Sequence, residues 1–493
     1  MTYNIPQKRT EMYNERGVIA AYYAELQGIP VLEAARDAYP LPMASIESTL
    51  RAIFQSADIA LLNIADLMTR ATADLDLKEG QVGPALVKVS WAHGFHRVLV
   101  RLSMMPQQLG LPCHMSEAQG LLRIADSPAF KAYVQALQDY DQALLQRLDC
   151  GQLPIKSLLL EHSLDTNQLN LIHLTRICNH DTTVWEQNLA EVLSPVEVPS
   201  YEAFVVSQGM YDTVYDRVLK GDTYFTQFRG LHQIPEILGA EMNDHIEKAI
   251  LAIRAEALPL AYEHLRSCNI LAEGVISSLP PIVDNLTTSD YHQIRENLGL
   301  TSGSHSVCLH YHMFRDLYRQ LWGEFANLVL DKPMNGHQNK AIQQAISQAT
   351  QARFEDSNAF LIYLLSNECL TLRSFIHQWR NSHIHLPRNN LGGSYTKSLT
   401  GSPDAISAVR AMRDSARKKD AMLPLVKARG LKKVHLNNEN APLTAYFDSE
   451  TSLDQQLLDL TGQITQERFK EVQERIGVFA TKCPFHQPPK RIV

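Results

Sequence analysis

A chain of 493 residues with 45% apolar and 20% charged side chains can bury one large core or two to three smaller ones, and its composition is not that of a disordered protein. The formal net charge of -7 gives no electrostatic reason to expect nucleic acid or an anionic membrane as partner. Seven scattered cysteines without a CxxC pair, a polar stretch from Met1 to Thr10 and the lack of an apolar run near ~20 residues lead to the expectation of a reduced, cytoplasmic protein with no signal peptide and no membrane span.

Helical periodicity runs through the chain. Glu15 to Gln27 reads as a short first helix. Ser45 to Leu75 is long and amphipathic, with Ile46, Leu50, Ile53, Ile59, Leu62, Ile64 and Leu67 on one broad face. Gly83 to Leu109, Pro128 to Leu148 and Leu169 to Val192 follow, and a proline-containing break at Ser194 to Ser200 reads as a linker. Further helices are expected at Tyr201 to Lys220, Thr223 to Arg254, Leu258 to Ser278, Thr288 to Leu298, Ser304 to Leu330, Lys340 to Arg353, Asp356 to His383 and Asp404 to Lys418. After about Ala421 the composition turns polar and basic, with a brief extended segment at Thr444 to Phe447 and a last helix at Asp454 to Val478. The tail from Cys483 to His486 reads as a proline-braced surface segment rather than a metal ligand pair. The expected fold class is all-α, in three parts: 1–200, 201–420 and 421–493.

The two halves share a sparse pattern. Phe54-Gln55 with Asp58-Ile59 matches His232-Gln233 with Glu236-Ile237, and both open long helices. Ile172-His173 with Arg176 and His180 matches Ile376-His377 with Arg380 and His383. If this is a duplication, the first half has Phe54 where the second has His232. The first half would then be a degenerate copy that supports, and the second would carry the chemistry.

Polar groups in the second half form an ordered set. His232 lies in an otherwise apolar helix, Tyr291 and Arg295 share a helix face, and Ser302-Gly303 marks a turn. His383 follows a long apolar helix, and Thr400-Gly401 lies in a Gly-containing loop that can fold over a ligand. A neutral imidazole held by a helix is what a metal or haem iron needs, and a guanidinium on a helix face suits bidentate capture of a carboxylate. Each group also has a purely structural reading. His232 and Tyr291 would be core residues, Arg295 would pair with Glu296, and Thr400 would cap the helix beginning near Pro403.

In this order the chain resembles the tryptophan 2,3-dioxygenase family, within the haem superfamily that also holds the indoleamine dioxygenases and the pyrrolnitrin ring-rearranging enzyme. Phe228-Arg-Gly-Leu-His232-Gln-Ile-Pro-Glu236 is similar to the family's Phe-x-x-x-His-Gln-x-x-Glu helix. Tyr291-His-Gln-Ile-Arg295-Glu296-Asn-Leu298, followed by Ser302-Gly303, is similar to aromatic-x-x-Phe-Arg-Glu-x-Leu and then Ser-Gly. Trp379-Arg380-Asn-Ser-His383 resembles Trp-Arg-x-x-His, and Thr396-Lys397-Ser-Leu-Thr400-Gly401 resembles the family's Thr-Lys-x-x-Thr-Gly loop. The resemblance spans roughly Asp222 to Lys418.

It implies a large helical bundle of the tryptophan dioxygenase type, haem b as cofactor and O2 as co-substrate. It makes His383 the iron ligand and His232 the catalytic distal histidine that accepts a hydrogen bond from an indole N–H. Phe228, Tyr291 and Leu298 would wall the substrate, Arg295 would hold its carboxylate, and Thr400 would close over it. Ser302, Gly303, Trp379 and Arg380 would lie against the cofactor. The loop from His383 to Thr400 is longer than the family's, and His385 and His377 are alternative iron ligands. The expected activity is O2 insertion across the indole 2,3 bond of tryptophan or a related indole amino acid. A haem monooxygenase or ring-rearranging enzyme acting on an aromatic amino acid is the alternative, and a non-catalytic haem-binding or scaffold protein is the third reading. A homo-oligomer, dimer or tetramer, is expected.

Overall fold

The computed structural model describes residues 45–76, 82–109, 127–149, 224–298, 309–331 and 339–390, with scattered positions between 404 and 425. All of them belong to one compact unit that ends at Leu425. The fold is all-α: among the described residues there are ten α-helices and no strand. In chain order they are α1 (Ser45–Asp76), α2 (Val82–Gln108), α3 (Pro128–Asp149), α4 (Phe225–Arg254), α5 (Leu258–Ser277), α6 (Leu279–Asn285), α7 (Thr288–Leu298), α8 (Leu309–Leu330), α9 (Asn339–Ala352) and α10 (Ser357–Asn390).

Helical positions recur from Ile406 to Asp414, within the helix expected at Asp404 to Lys418. That segment is capped by Asp404, whose Oδ1 accepts the Ile406 N–H at 2.9 Å. The helices expected at Glu15 to Gln27, Leu169 to Val192, Tyr201 to Lys220 and Asp454 to Val478 lie outside the described residues. So do the linker at Ser194 to Ser200, the extended segment at Thr444 to Phe447, the Cys483 to His486 tail, and His173 and His180.

Two boundaries differ from expectation. α10 continues past His383 to Asn390, through Pro387. Proline removes the amide that would bond the carbonyl four residues back, which is that of His383, so the sequence reads as a stop although the chain stays helical. His383 therefore lies inside a helix rather than at its end. The short α6 lies between the helices expected at Leu258 to Ser278 and Thr288 to Leu298, and was not anticipated. Its prolines sit in the first turn, where no helical N–H bond is lost.

Local chemistry starts several elements. Ser127 precedes α3; its Oγ accepts the Ala129 N–H at 3.0 Å and donates to Asp58 Oδ1 of α1 at 2.6 Å. One hydroxyl thus caps one helix and ties it to another. α7 opens with a reciprocal cap, in which the Asp290 carboxylate accepts the Thr287 N–H at 3.2 Å and Thr287 Oγ1 accepts the Asp290 N–H.

α1 packs between α2 and α3, while α4 packs against α5 and α8. The two groups meet along α1 against α4 and α2 against α5 and α6. The α1/α4 crossing is reciprocal. Ser48 of α1 donates to Glu241 of α4 at 2.6 Å, and Thr49 meets His245 Nε2 at 3.0 Å. In return Gln227 of α4 donates to Asp66 of α1 at 3.2 Å, and Gly230 lies against Asn63. In the register that pairs Phe54 with His232, Thr49 is the counterpart of Gln227 and Asn63 that of Glu241, so each helix presents similar positions to the other. That register also pairs buried Arg51, Gln55 and Asp58 with buried Arg229, Gln233 and Glu236.

Small residues let this seam close. An added Cβ would come within 2.5 Å of Asn63 at Gly230, 2.6 Å of Met105 at Gly274 and 2.8 Å of Pro281 at Gly94. Around them Arg101 pairs with Glu273, and Arg97 with Asp284 at 2.9 Å.

α10 covers one side of the second group, packing on α5, α6, α7 and α9. Among the described helices it is the one long and apolar enough to cross a membrane by length and composition, with a mean hydropathy of 1.3 over its most apolar window.

Candidate functional site

The site is built on two helices. α4 carries Phe228 and His232 one turn apart, so their rings meet along one face, tilted by 41° with centroids 4.2 Å apart. His232 Nδ1 lies 2.7 Å from the Phe228 carbonyl oxygen. A carbonyl can only accept, so Nδ1 carries the proton and Nε2 is left with a lone pair. Burial lowers the His232 pKa, and the bond to Phe228 only partly opposes it. The ring is therefore a neutral acceptor of fixed tautomer.

α10 carries Trp379 and His383, also one turn apart and stacked, with centroids 5.2 Å apart and an interplanar angle of 23°. The pKa of His383 falls to about 4, first through burial and second through the charge of His232. The two imidazoles thus lie within electrostatic reach of each other, although they stand 151 positions apart in the sequence. His383 Nδ1 is enclosed and has no hydrogen-bond partner. An orphaned buried nitrogen on a neutral ring is an open coordination or hydrogen-bonding position.

Arg380 and Tyr291 are half-buried, and each has further interactions within the protein. Tyr291 lies on α7, which packs on α10, so the helix bearing Tyr291, Arg295 and Leu298 reaches the helix bearing His383. The side chains of Arg295 and Leu298 are outside the described residues, as are Ser302, Gly303 and Thr400. His377 and His385 project from the opposite face of α10, into an open groove. The charge of His383 is coupled to that of His232.

The donors present are of the kind a haem site would use: the imidazoles of His383 and His232, the latter with an acceptor nitrogen, and beside them the aromatic rings of Trp379 and Phe228. Among the described residues no group of three or more His, Cys, Asp or Glu could hold a metal ion. A porphyrin supplies four of its iron's ligands itself, so a single histidine suffices where a bare ion needs a cluster.

The carbonyl of Phe228 as the group that sets the His232 tautomer was not foreseen. Its only sequence signal is a histidine four residues after an aromatic in an apolar helix. No protein-family model matches the chain, and no curated protein matches it.

Proposed function

We propose that this chain is a haem-dependent oxygenase that inserts both atoms of O2 across the indole 2,3 bond of tryptophan or a close relative. The observation that carries the reading is the pairing of two half-buried, neutral histidines from distant helices, His232 with Nε2 as acceptor and His383 with an orphaned nitrogen. The ordered motifs around them support it.

In this reading His383 holds haem b, which supplies the O2 activation that no side chain offers. The protein's own work is binding and orientation. His232 Nε2 accepts the indole N–H and fixes which ring edge faces the reaction centre. Phe228 and Tyr291 stack against the ring. Arg295 and Thr400 take the carboxylate and close the site, which excludes water. We also propose that the first group of helices is a degenerate copy of the second, joined by a pseudo-twofold seam that stands in for a subunit contact. Phe54 then occupies the His232 position and leaves that copy without an acceptor.

The test is an absorption spectrum of the purified ferrous protein before and after L-tryptophan is added in air. A Soret band together with ring-opened formylkynurenine by mass spectrometry is the expected result. A Soret band with a hydroxylated or rearranged product would replace dioxygenation by monooxygenation or ring rearrangement. Absence of haem after reconstitution would leave a helical scaffold.

A further inference from the structure

The first group of helices holds a polar cluster that the histidine site does not use. α2 and α3 both pack along α1 but scarcely on each other, so side chains span the cleft between them. There the ring of His96 from α2 meets that of Tyr133 from α3 edge to face, with centroids 5.4 Å apart. The buried face of α3 runs Ala129, Tyr133, Ala136, Tyr140 and Ala143, at alternating spacings of four and three. Alanine between the phenols leaves the space beside each ring to groups from outside α3. Asp141, half-buried, follows Tyr140 at the edge of this face.

Five polar atoms of the cluster are enclosed without a hydrogen-bond partner: both ring nitrogens of His96, the hydroxyls of Tyr133 and Tyr140, and Asp141 Oδ1. His96 is 2% exposed and the two tyrosines 0%. Buried polar groups of folded proteins are paired, and leaving one alone is costly. Charge narrows what pairs these. Burial, with the charge of His93 second, holds His96 neutral with a pKa of about 3. Burial, with the charge of Asp141 second, keeps both phenols protonated. Burial pushes the Asp141 carboxyl up to about 6, so near neutral pH it is still mostly an anion, and among the described residues no cation is paired with it. Ordered water can pair the hydroxyls and the imidazole, but it cannot neutralise the carboxylate. An ammonium group does both. It donates to Asp141 and to a phenol oxygen, and its charge is favoured beside aromatic faces.

We propose that the cleft between α2 and α3 binds a small organic ammonium compound, its nitrogen at Asp141 and its apolar body against Tyr133 and Tyr140. The site lies in the other group of helices from His232 and His383 and does not rest on the oxygenase reading.

The test is calorimetric titration of the full-length protein with phenethylamine, and with phenethyl alcohol as the same body without the charge. The amine should bind saturably, one per chain, and the alcohol at least tenfold more weakly. Asp141→Asn should weaken the amine at least tenfold and leave the alcohol unchanged. Tyr133→Phe, which removes one oxygen, should weaken the amine several-fold. His232→Phe should leave amine binding as it is, which separates this cleft from the histidine pair. Asp141 is half-buried and asparagine has its shape, so that variant keeps the test decisive even if Tyr133→Phe disturbs packing. No saturable binding of the amine, equal binding of the alcohol, an Asp141→Asn variant that binds as the parent does, or loss of binding in His232→Phe would overturn the site.

Discussion

His232 and Phe54 hold matching positions in α4 and α1, and the difference between them is one hydrogen-bond acceptor. Replacing His232 with Phe should therefore leave haem binding intact while product formation with L-tryptophan falls by orders of magnitude. Haem loss in that variant, measured by pyridine haemochrome, would move the iron ligand to His232. His383→Ala should release haem and leave the far-ultraviolet circular dichroism unchanged. The buried histidines also set a pH response. Burial holds His96 at about 3, with the charge of His93 adding to it, and holds His245 and His383 at about 4, all below the ordinary 6.5. The unfolded chain takes up protons near 6.5 that the folded chain refuses, so stability is full above that pH and declines as pH falls towards 4. Urea unfolding at about pH 7.5 and about pH 5 should show the decline. His96→Gln should make it shallower. An unchanged slope would place the acid sensitivity in carboxylates instead.

At the scale of helices, the tie between α1 and α3 rests on Ser127. Ser127→Ala removes a cap and leaves the Asp58 carboxylate one donor short, so a loss of about 1–2 kcal/mol is expected in chemical denaturation. Gly230→Ala should cost about 1–3 kcal/mol, because its methyl meets Asn63. Adding Asn63→Ala should return part of that loss, and strict additivity would show that the two sites do not touch. Most helices were legible because their apolar stripes are long. Ser45–Asp76 and Phe225–Arg254 differ by only a residue or two from the periodic runs. What misled was proline. Pro387 reads as a terminator, yet α10 passes through it. Pro280 and Pro281 stand in the first turn of α6, a helix that was not anticipated. A proline's effect depends on which carbonyl lies four residues back and whether packing holds the turn, and neither is written locally. The site was legible as residue types in order. The contact of Phe228 with His232 and the tautomer set by the Phe228 carbonyl arise within one helix turn, whereas the approach of His383 is a product of tertiary packing.

At the scale of the whole unit, the reciprocal α1/α4 crossing and the α2 seam bury polar and apolar groups that neither half covers by itself. Ser48, Thr49, Glu241 and His245 form one such polar knot between the halves. Segments 1–200 and 201–425, produced together as separate chains, should co-purify, and either one alone should be insoluble or molten by near-ultraviolet circular dichroism. Two independently folded, non-associating segments would show that the seam is incidental.

Gly230, Gly274 and Gly94 bear on how such a molecule changes over generations. At each of them the opposing half stands where a first side-chain carbon would go. A mutation that adds one is penalised unless Asn63, Met105 or Pro281 has already changed, and a change there opens a void until the glycine is filled. Neither half can wander alone. Once two copies are joined at contacts this close, their histories are coupled. If the first group of helices is the degenerate copy proposed above, with Phe54 where the second has His232, it can lose its own chemistry and still be retained by selection acting on its partner's fold.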